Sequence, residues 1–407
     1  MVGTLPPLKG ISYYCLELCR AVSKEADLQF IGFRELYPAS LYRGGATTSE
    51  LPPASIDDVD VRNIISYSNP TTSIQAALSV RGRILHVQHW AYPLVLLYLP
   101  IILINRLRQR RVIVTIHNVL PHENRIFGWI ANLLILLLSH EAIVHNVSNL
   151  NRLIGLYPVR RDRVHVIPHG TLVPLKRTGI SMNEARSRLG LCPHDKVILF
   201  FGNIRDYKGL DVLLHSARLV ADHVAHLRLL IAGTFWRNWQ HYAKLVDKYQ
   251  LREVVVSRTG YIPDDEVELY FTSADLIALP YRRLDSDSGV AAMAIGFGKA
   301  LIVTNVGGLP SYVLRREGLC NPGDPSDLAC KITRILSDNS LREEMSQDSE
   351  ILSERRSWEH IAERTLTLYR SVTNPAGAEM DREDAPPTRE ILSGSVSGGR
   401  VSLHKQL

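Results

Sequence analysis

The sequence predicts an α/β protein built as two doubly wound domains. Three observations carry this expectation. The chain has 407 residues, too many for one compact core. Short apolar, β-branched runs alternate with helical patterns along most of it. Those runs are continuously apolar and end in Gly, Asn or His, as strands of a parallel sheet covered on both faces do.

The strands are read in order. "LQFIGF", "RILHVQ", "RVIVTIHN", "EAIVHN" and "RVHVIPHG" form the first series. Ahead of them only residues 2–5 are available as a strand, before a Pro-Gly loop. "KVILFFGN", "LRLLIAG", "EVVVSRTGYI", "ADLIALPY" and "ALIVTNVGG" form the second series. Two such series mean two open sheets. The boundaries expected are 1–172 for the first domain and 173–356 for the second, with residues 171–190 leading from one into the other. Residues 357–372 form a closing amphipathic helix, with Ser357 as its cap and Trp358, Ile361, Thr365 and Leu368 on one face. From 373 to 407 the chain turns to Pro, Gly, Ser and charge, and is expected to be disordered.

Composition narrows the function classes. Five cysteines show neither a CxxC step nor zinc-like spacing, which suggests reduced thiols in a cytoplasmic setting. Cys15 and Cys19 share a helix face and read as core thiols. No signal peptide is visible. The longest apolar run, "AYPLVLLYLPIILI" (91–104), is too short to span a bilayer and carries Pro93 and Pro100. A second run, "IFGWIANLLILLL" (126–138), is shorter. Both are expected to be buried or interfacial helices.

The net charge of +6 is unevenly placed. Residues 1–172 hold 17 Lys/Arg against 11 Asp/Glu, whereas the remainder holds 30 of each. The cluster "NRLRQRR" (105–111) follows the apolar 91–104 run directly. A basic cluster beside an apolar helix suits the anionic inner face of a plasma membrane, though a solvated helix end would look the same. No motif accompanies the charge that would indicate a nucleic-acid partner.

Ligands of open parallel sheets sit beyond the carboxyl ends of the strands, so the informative residues should follow the strands. In "LFFGNIRDYKGLDVLL" a strand ends in Gly202-Asn203, and Arg205 and Lys208 precede a helix. Two cations at a strand end suit a diphosphate, although a solvated pair around a turn glycine would leave the same pattern. In "DSDSGVAAMAIGFGKALIVTNVGG" (285–308), Ser288, Gly289 and Val290 open an apolar helix whose free N–H groups favour an anion. Asp285 and Asp287 just ahead could accept sugar hydroxyl protons; Ser288 could equally be a plain N-cap. In "TIHNVLPHENR", His117 and Asn118 end a strand, and His122 and Glu123 follow in the loop. These can donate to and accept from sugar hydroxyls, or form a simple polar network. His169 ends the last strand of the first domain, as a ligand or as a hinge residue. The GxSxG elbow, the P-loop and GxGxxG are absent, and no cluster shows metal-ligand spacing.

Taken in order, these pieces resemble the group 1 (family 4) glycosyltransferases, retaining enzymes of the GT-B architecture. The matching stretches are "LPPLKGISYYCLEL", "ELYPASLYRGG", "TIHNVLPHE", "VIPHG", "FFGNIRDYKGLDVLL", "GYIPDDEVELYFTSADLIALPY" and "SGVAAMAIGFGKALIVTNVGGLP". They span residues 4 to about 372. The resemblance implies two Rossmann-like domains facing across a cleft. A nucleotide-diphosphate sugar would be held by the second and a glycan or lipid-linked acceptor by the first, in polysaccharide biosynthesis of the hexosyltransferase type. It implies Arg205 and Lys208 on the donor diphosphate, and Tyr261 and Ile262 at the base. It further implies Ser288, Gly289 and Val290 on the distal phosphate, Gly10 in the first loop near that phosphate, and His117 beside the transferred sugar. No metal or other cofactor is implied.

Two departures stand out. The family's paired Glu positions fall on Asp285 and Met293, and a thioether accepts ribose hydroxyls poorly. The first loop carries Gly10 alone. A nucleotide-sugar epimerase on the same fold, or a non-catalytic partner subunit, are the competing readings.

Overall fold

A computed structural model describes residues 1–8, 11–36, 55–119, 125–172, 178–236 and 238–374. Among the expectations above, Gly10, His122, Glu123 and the tail from residue 375 lie outside the described residues.

Two all-parallel sheets form the core, as the continuous apolar runs require. The first contains β1 (Val2–Gly3), β2 (Gln29–Glu35), β3 (Asp60–Ser66), β4 (Ile84–His89), β5 (Arg111–Ile116), β6 (Glu141–Val144) and β7 (Val164–Val166), in the order β3-β2-β1-β4-β5-β6-β7. The second contains β8 (Lys196–Phe201), β9 (Leu227–Gly233), β10 (Val255–Thr259), β11 (Leu276–Leu279), β12 (Leu301–Thr304) and β13 (Leu319–Cys320), in the order β10-β9-β8-β11-β12-β13. Each is a doubly wound order. Each has a switch point, between β1 and β4 and between β8 and β11, where a crevice opens at the carboxyl ends of the strands.

Central strands are the ones the sequence makes plain. β5 is buried at every residue after Arg111. Two strands were not foreseen. β3 is an edge strand, buried only at Ile65 and Ser66, so its sequence "DVRNIIS" stays polar. β13 is only two residues long. The apolar runs at 91–104 and 126–138 form a short turn, Tyr92–Leu94, and the helices Val95–Leu107 and Arg125–Leu138. No described helix is long and apolar enough to cross a membrane.

The final helix, Trp358–Thr373, is capped by Ser357, whose hydroxyl accepts the His360 N–H at 3.4 Å. Its apolar face, with Ile361, Ala362, Leu366 and Leu368, packs among Tyr14, Leu18 and Ile167 of the first unit. Trp358 Nε1 donates to the Thr171 carbonyl at 2.9 Å, and Arg364 donates to the Val166 carbonyl at 2.7 Å. A Cβ at Gly170 would stand 2.6 Å from the Trp358 ring, so a glycine is required where the chain leaves the first sheet.

Candidate active site

The crevice of the second sheet is built from glycines and one buried lysine. After β8, Gly202 takes a φ of +96° and Gly209 a φ of +71°. A Cβ at Gly209 would lie 2.1 Å from the Pro280 carbonyl oxygen. No other residue lets the β8 loop approach the end of β11 so closely. That approach carries Lys208 inward to 7 % exposure, with its Nζ 5.3 Å from the centre of the Tyr281 ring. Burial, reinforced by the Arg205 charge, lowers its ammonium to about 7. The Arg205 guanidinium lies 3.7 Å above the Trp236 ring. Neither cation is simply solvated, and no carboxylate pairs with Lys208 among the described residues.

The start of the helix Gly289–Gly296 lies near this lysine. A Cβ placed on Gly202 would sit 3.2 Å from Val290 Cγ2 and 3.6 Å from Lys208 Nζ, so the three meet at one spot. Ser288 caps the helix by accepting the Ala291 N–H at 3.2 Å. Its own N–H donates to Asp287 Oδ1 at 2.9 Å. The Ser288 amide already has an acceptor, because Asp287 folds back on it, and Gly289 and Val290 supply the first open N–H groups of the helix.

Asp285 is buried and paired with Arg152, on the helix Val147–Leu156 of the first unit. It thus ties the two halves together besides flanking the helix mouth. Leu172 comes over the same mouth, with Cδ1 3.4 Å from a Cβ built on Gly289. The Gly-Gly after β12 has a clear reason. A Cβ at Gly307 would meet the Leu284 carbonyl oxygen at 2.2 Å, and one at Gly308 would meet Asn146 Nδ2 of the first unit at 2.4 Å. Exposed Tyr261 donates to Asp264 Oδ1 at 3.2 Å, and Tyr13 of the first unit donates to the other oxygen of Asp264. Ile262 packs against the core beside it. Asn203 is exposed at the rim. Met293 is half-buried against the same core.

Across the cleft, His117 is buried, with both ring nitrogens engaged. Its Nε2 lies 3.0 Å from the Gln88 side-chain amide, and its Nδ1 lies 3.0 Å from His145 Nε2. His145 Nδ1 meets the Ile167 carbonyl at 3.0 Å. A carbonyl only accepts, so His145 carries a proton on Nδ1. Gln88 Oε1 is the atom at His117 Nε2, and Gln88 Nε2 lies 3.2 Å from His86 Nε2. His86 Nδ1 lies 2.6 Å from the Tyr369 hydroxyl. The result is one connected chain of buried, hydrogen-bonded groups. Burial accordingly pushes His117 well below the usual imidazole range, His145 to about 4 and His86 to about 3.

His169 donates from Nδ1 to the Gly170 carbonyl at 2.6 Å and packs among Tyr14, His145 and Trp358. Asn118 donates to the Trp90 carbonyl at 2.6 Å. Sequence reasoning missed His145, Gln88, Arg152 and Tyr281. A signal for the first was present: His89, His117, His145 and His169 stand at or just beyond the ends of four consecutive strands.

Residues 181–351 match the family model "Glycosyl transferases group 1". The chain is similar to the D-inositol 3-phosphate glycosyltransferase of Corynebacterium efficiens, at 30 % identity over 243 residues, covering 56 % of each chain. That of Rhodococcus jostii is 29 % identical over 243 residues, covering 58 % of this chain and 53 % of the relative. The chain spans about half the length of the curated relatives it matches. Among solved structures, sucrose-phosphate synthase from Thermosynechococcus elongatus superposes with a TM-score of 0.71 at 17 % identity, over 92 % of this chain and 99 % of that one. Anabaena HepE, solved in complex with UDP and glucose, gives 0.68 at 16 %, over 91 % and 99 %. The match to group 1 glycosyltransferases thus covers residues 181–351, less than half of the chain, and the two doubly wound parallel sheets are the GT-B architecture that the chain shares with these structures.

Proposed function

We propose that this protein transfers a hexosyl unit from a nucleotide-diphosphate sugar to a hydroxyl of a glycan or lipid-linked acceptor, with retention of configuration. The observation that carries the reading is a buried ammonium near an open helix start at the switch point of the second sheet. Lys208 is desolvated, and its Nζ and the Val290 side chain at the helix start meet at Gly202. A cation held at this cost in the absence of a carboxylate suits a ligand that brings two or three negative charges. The UDP bound by HepE is of that chemical class, and the curated relatives are named for transfer to an inositol phosphate.

In the proposed reaction the bond from the sugar anomeric carbon to the donor phosphate oxygen breaks. The acceptor oxygen bonds to that carbon on the same face, and the acceptor proton passes to the departing phosphate oxygen. Lys208, Arg205 and the Gly289 and Val290 amides stabilise the charge that develops on the diphosphate, which makes electrostatics the main catalytic contribution. No metal or separate protein base enters this scheme.

The acceptor would be presented at the inner face of an anionic membrane. Helices Thr72–Ser79, Val95–Leu107 and Arg125–Leu138 pack side by side and leave large apolar side chains exposed, among them Leu107 at 76 %, Ile126 at 73 % and Phe127 at 65 %. Arg106, Arg108, Arg110 and Arg111 stand at the end of the second of these helices. Apolar side chains next to cations suit anionic lipid.

The test is to incubate the protein with UDP-, GDP- and ADP-sugars and follow free nucleotide, with and without lipid-linked glycan. Release that requires the acceptor supports transfer. Consumption of donor without acceptor would point to the epimerase, and no turnover of any donor would leave the partner-subunit reading standing.

A further inference from the structure

The turn between the helix Met182–Leu189 and β8 reads Cys192-Pro193-His194-Asp195, and it is held rigidly. The Asp195 N–H donates to the Cys192 carbonyl at 3.1 Å, and the Cys192 N–H donates to Asp195 Oδ2 at 2.7 Å. Buried Arg186 donates to the Pro193 carbonyl at 2.5 Å while also binding the Ser273 carbonyl and Asp275. The turn therefore presents Cys192 and His194 outward, both exposed, above a buried Asp195. One ligand atom from each of Cys192, His194 and Asp195 lies within 4.8 Å of the others. A second imidazole adjoins His194: the His226 ring centre is 4.4 Å from that of His194, at 82°. His226 adopts a φ of +57°, a left-handed backbone that non-glycine residues seldom take, and its carbonyl accepts the Lys196 N–H at 2.9 Å.

From this geometry we propose that Cys192, His194 and Asp195, with His226 as the fourth side chain, bind a divalent transition-metal ion of the zinc class. The donor set of one thiolate, two imidazoles and one carboxylate suits zinc and excludes magnesium and calcium, which select oxygen. Ligand atoms around tetrahedral zinc lie about 3.5 Å apart, so exposed Cys192 and His194 need close by only about 1 Å. The sequence hides the site because His226 is brought in by β9, which pairs with β8 from Lys196↔Leu227 onward. These residues precede β8 and β9, at the opposite end of the strands from the cleft. The ion would therefore fasten the turn to the sheet and leave the transfer chemistry untouched. Asp195 also lies 3.5 Å from Arg228 Nε, which fixes the carboxylate for coordination.

The experiment uses the full chain, dialysed against chelator and titrated with Co²⁺. One equivalent should develop a thiolate-to-cobalt absorption band in the near ultraviolet and strong visible bands of tetrahedral cobalt, and Zn²⁺ should displace both. Cys192→Ser should lose the ultraviolet band. His194→Gln and His226→Gln should each weaken Co²⁺ affinity by about tenfold or more. Cys330→Ser, which alters the other exposed thiol, should behave as wild type. Circular dichroism of each variant checks the fold, and Zn²⁺ should raise the Tm of the wild type but not of Cys192→Ser. Absence of the band in the wild type, or its survival in Cys192→Ser, overturns the site. Unchanged affinity in His226→Gln removes that residue from it.

Discussion

Replacing Lys208 with Met should separate catalysis from stability, because the same burial acts on both with opposite sign. The folded, unliganded protein holds this ammonium at about 7 instead of 10.5. At ~1.4 kcal/mol per unit, the charged form is disfavoured in the fold by on the order of a few kcal/mol below pH 7. A neutral side chain of similar length removes that penalty, so the unliganded Tm should rise. A bound diphosphate reverses the balance by returning an opposite charge, which raises the ammonium above 7 and draws in a proton. Wild-type donor affinity should therefore be greatest below pH 7. It should fall by up to about tenfold per unit above it, until the pH reaches the bound-state value. Lys208→Met should lose this pH dependence, together with about 10²–10³ of turnover, the usual cost of one preorganised charge-stabilising donor. The assays are nucleotide release against pH, calorimetric proton uptake on nucleoside diphosphate binding, and a thermal melt. Turnover within threefold of wild type, or an unchanged pH profile in the variant, refutes the assignment of Lys208 to the diphosphate.

Three further outcomes are expected. Met293→Glu puts a carboxylate at the half-buried position where the resemblance places a ribose ligand, and should tighten nucleotide-sugar binding about tenfold by calorimetry; unchanged or weaker binding would place the ribose elsewhere. The buried imidazoles of His86, His89 and His145 titrate at about 3, 4 and 4, below their unfolded value near 6.5, so protons bind the unfolded chain first as pH falls. The urea midpoint should drop steadily from pH 6.5 to pH 4, by up to ~3 kcal/mol per imidazole, and less steeply in His86→Gln; equal slopes in the two proteins contradict the buried neutral chain. Ile126→Ser with Phe127→Ser should reduce sedimentation with anionic phospholipid vesicles severalfold while leaving neutral-vesicle sedimentation low; equal binding by variant and wild type argues against this face as the membrane contact.

The architecture was legible because parallel strands buried on both faces have to be apolar throughout. "RVIVTI" and "KVILFF" could be nothing else at that length between turn residues. β3 was illegible for the same reason inverted: an edge strand is half solvated and needs no apolar run. The candidate site was visible as residue types at strand ends. Gly202, Lys208, Ser288, Gly289 and Val290 do meet in one crevice.

The sequence by itself determined the two parallel sheets, the glycines at their carboxyl ends and the chemistry available there, since periodicity and turn preference are local properties. The fold alone decided which of those groups are free to act. Ser288 spends its N–H on Asp287, Asp285 joins Arg152 from a region over a hundred residues away, and His117 shares both nitrogens with Gln88 and His145. Desolvation of Lys208 likewise arises only when Gly209 is pressed against the Pro280 carbonyl. Burial and pairing depend on what the rest of the chain brings alongside, and no local pattern encodes that.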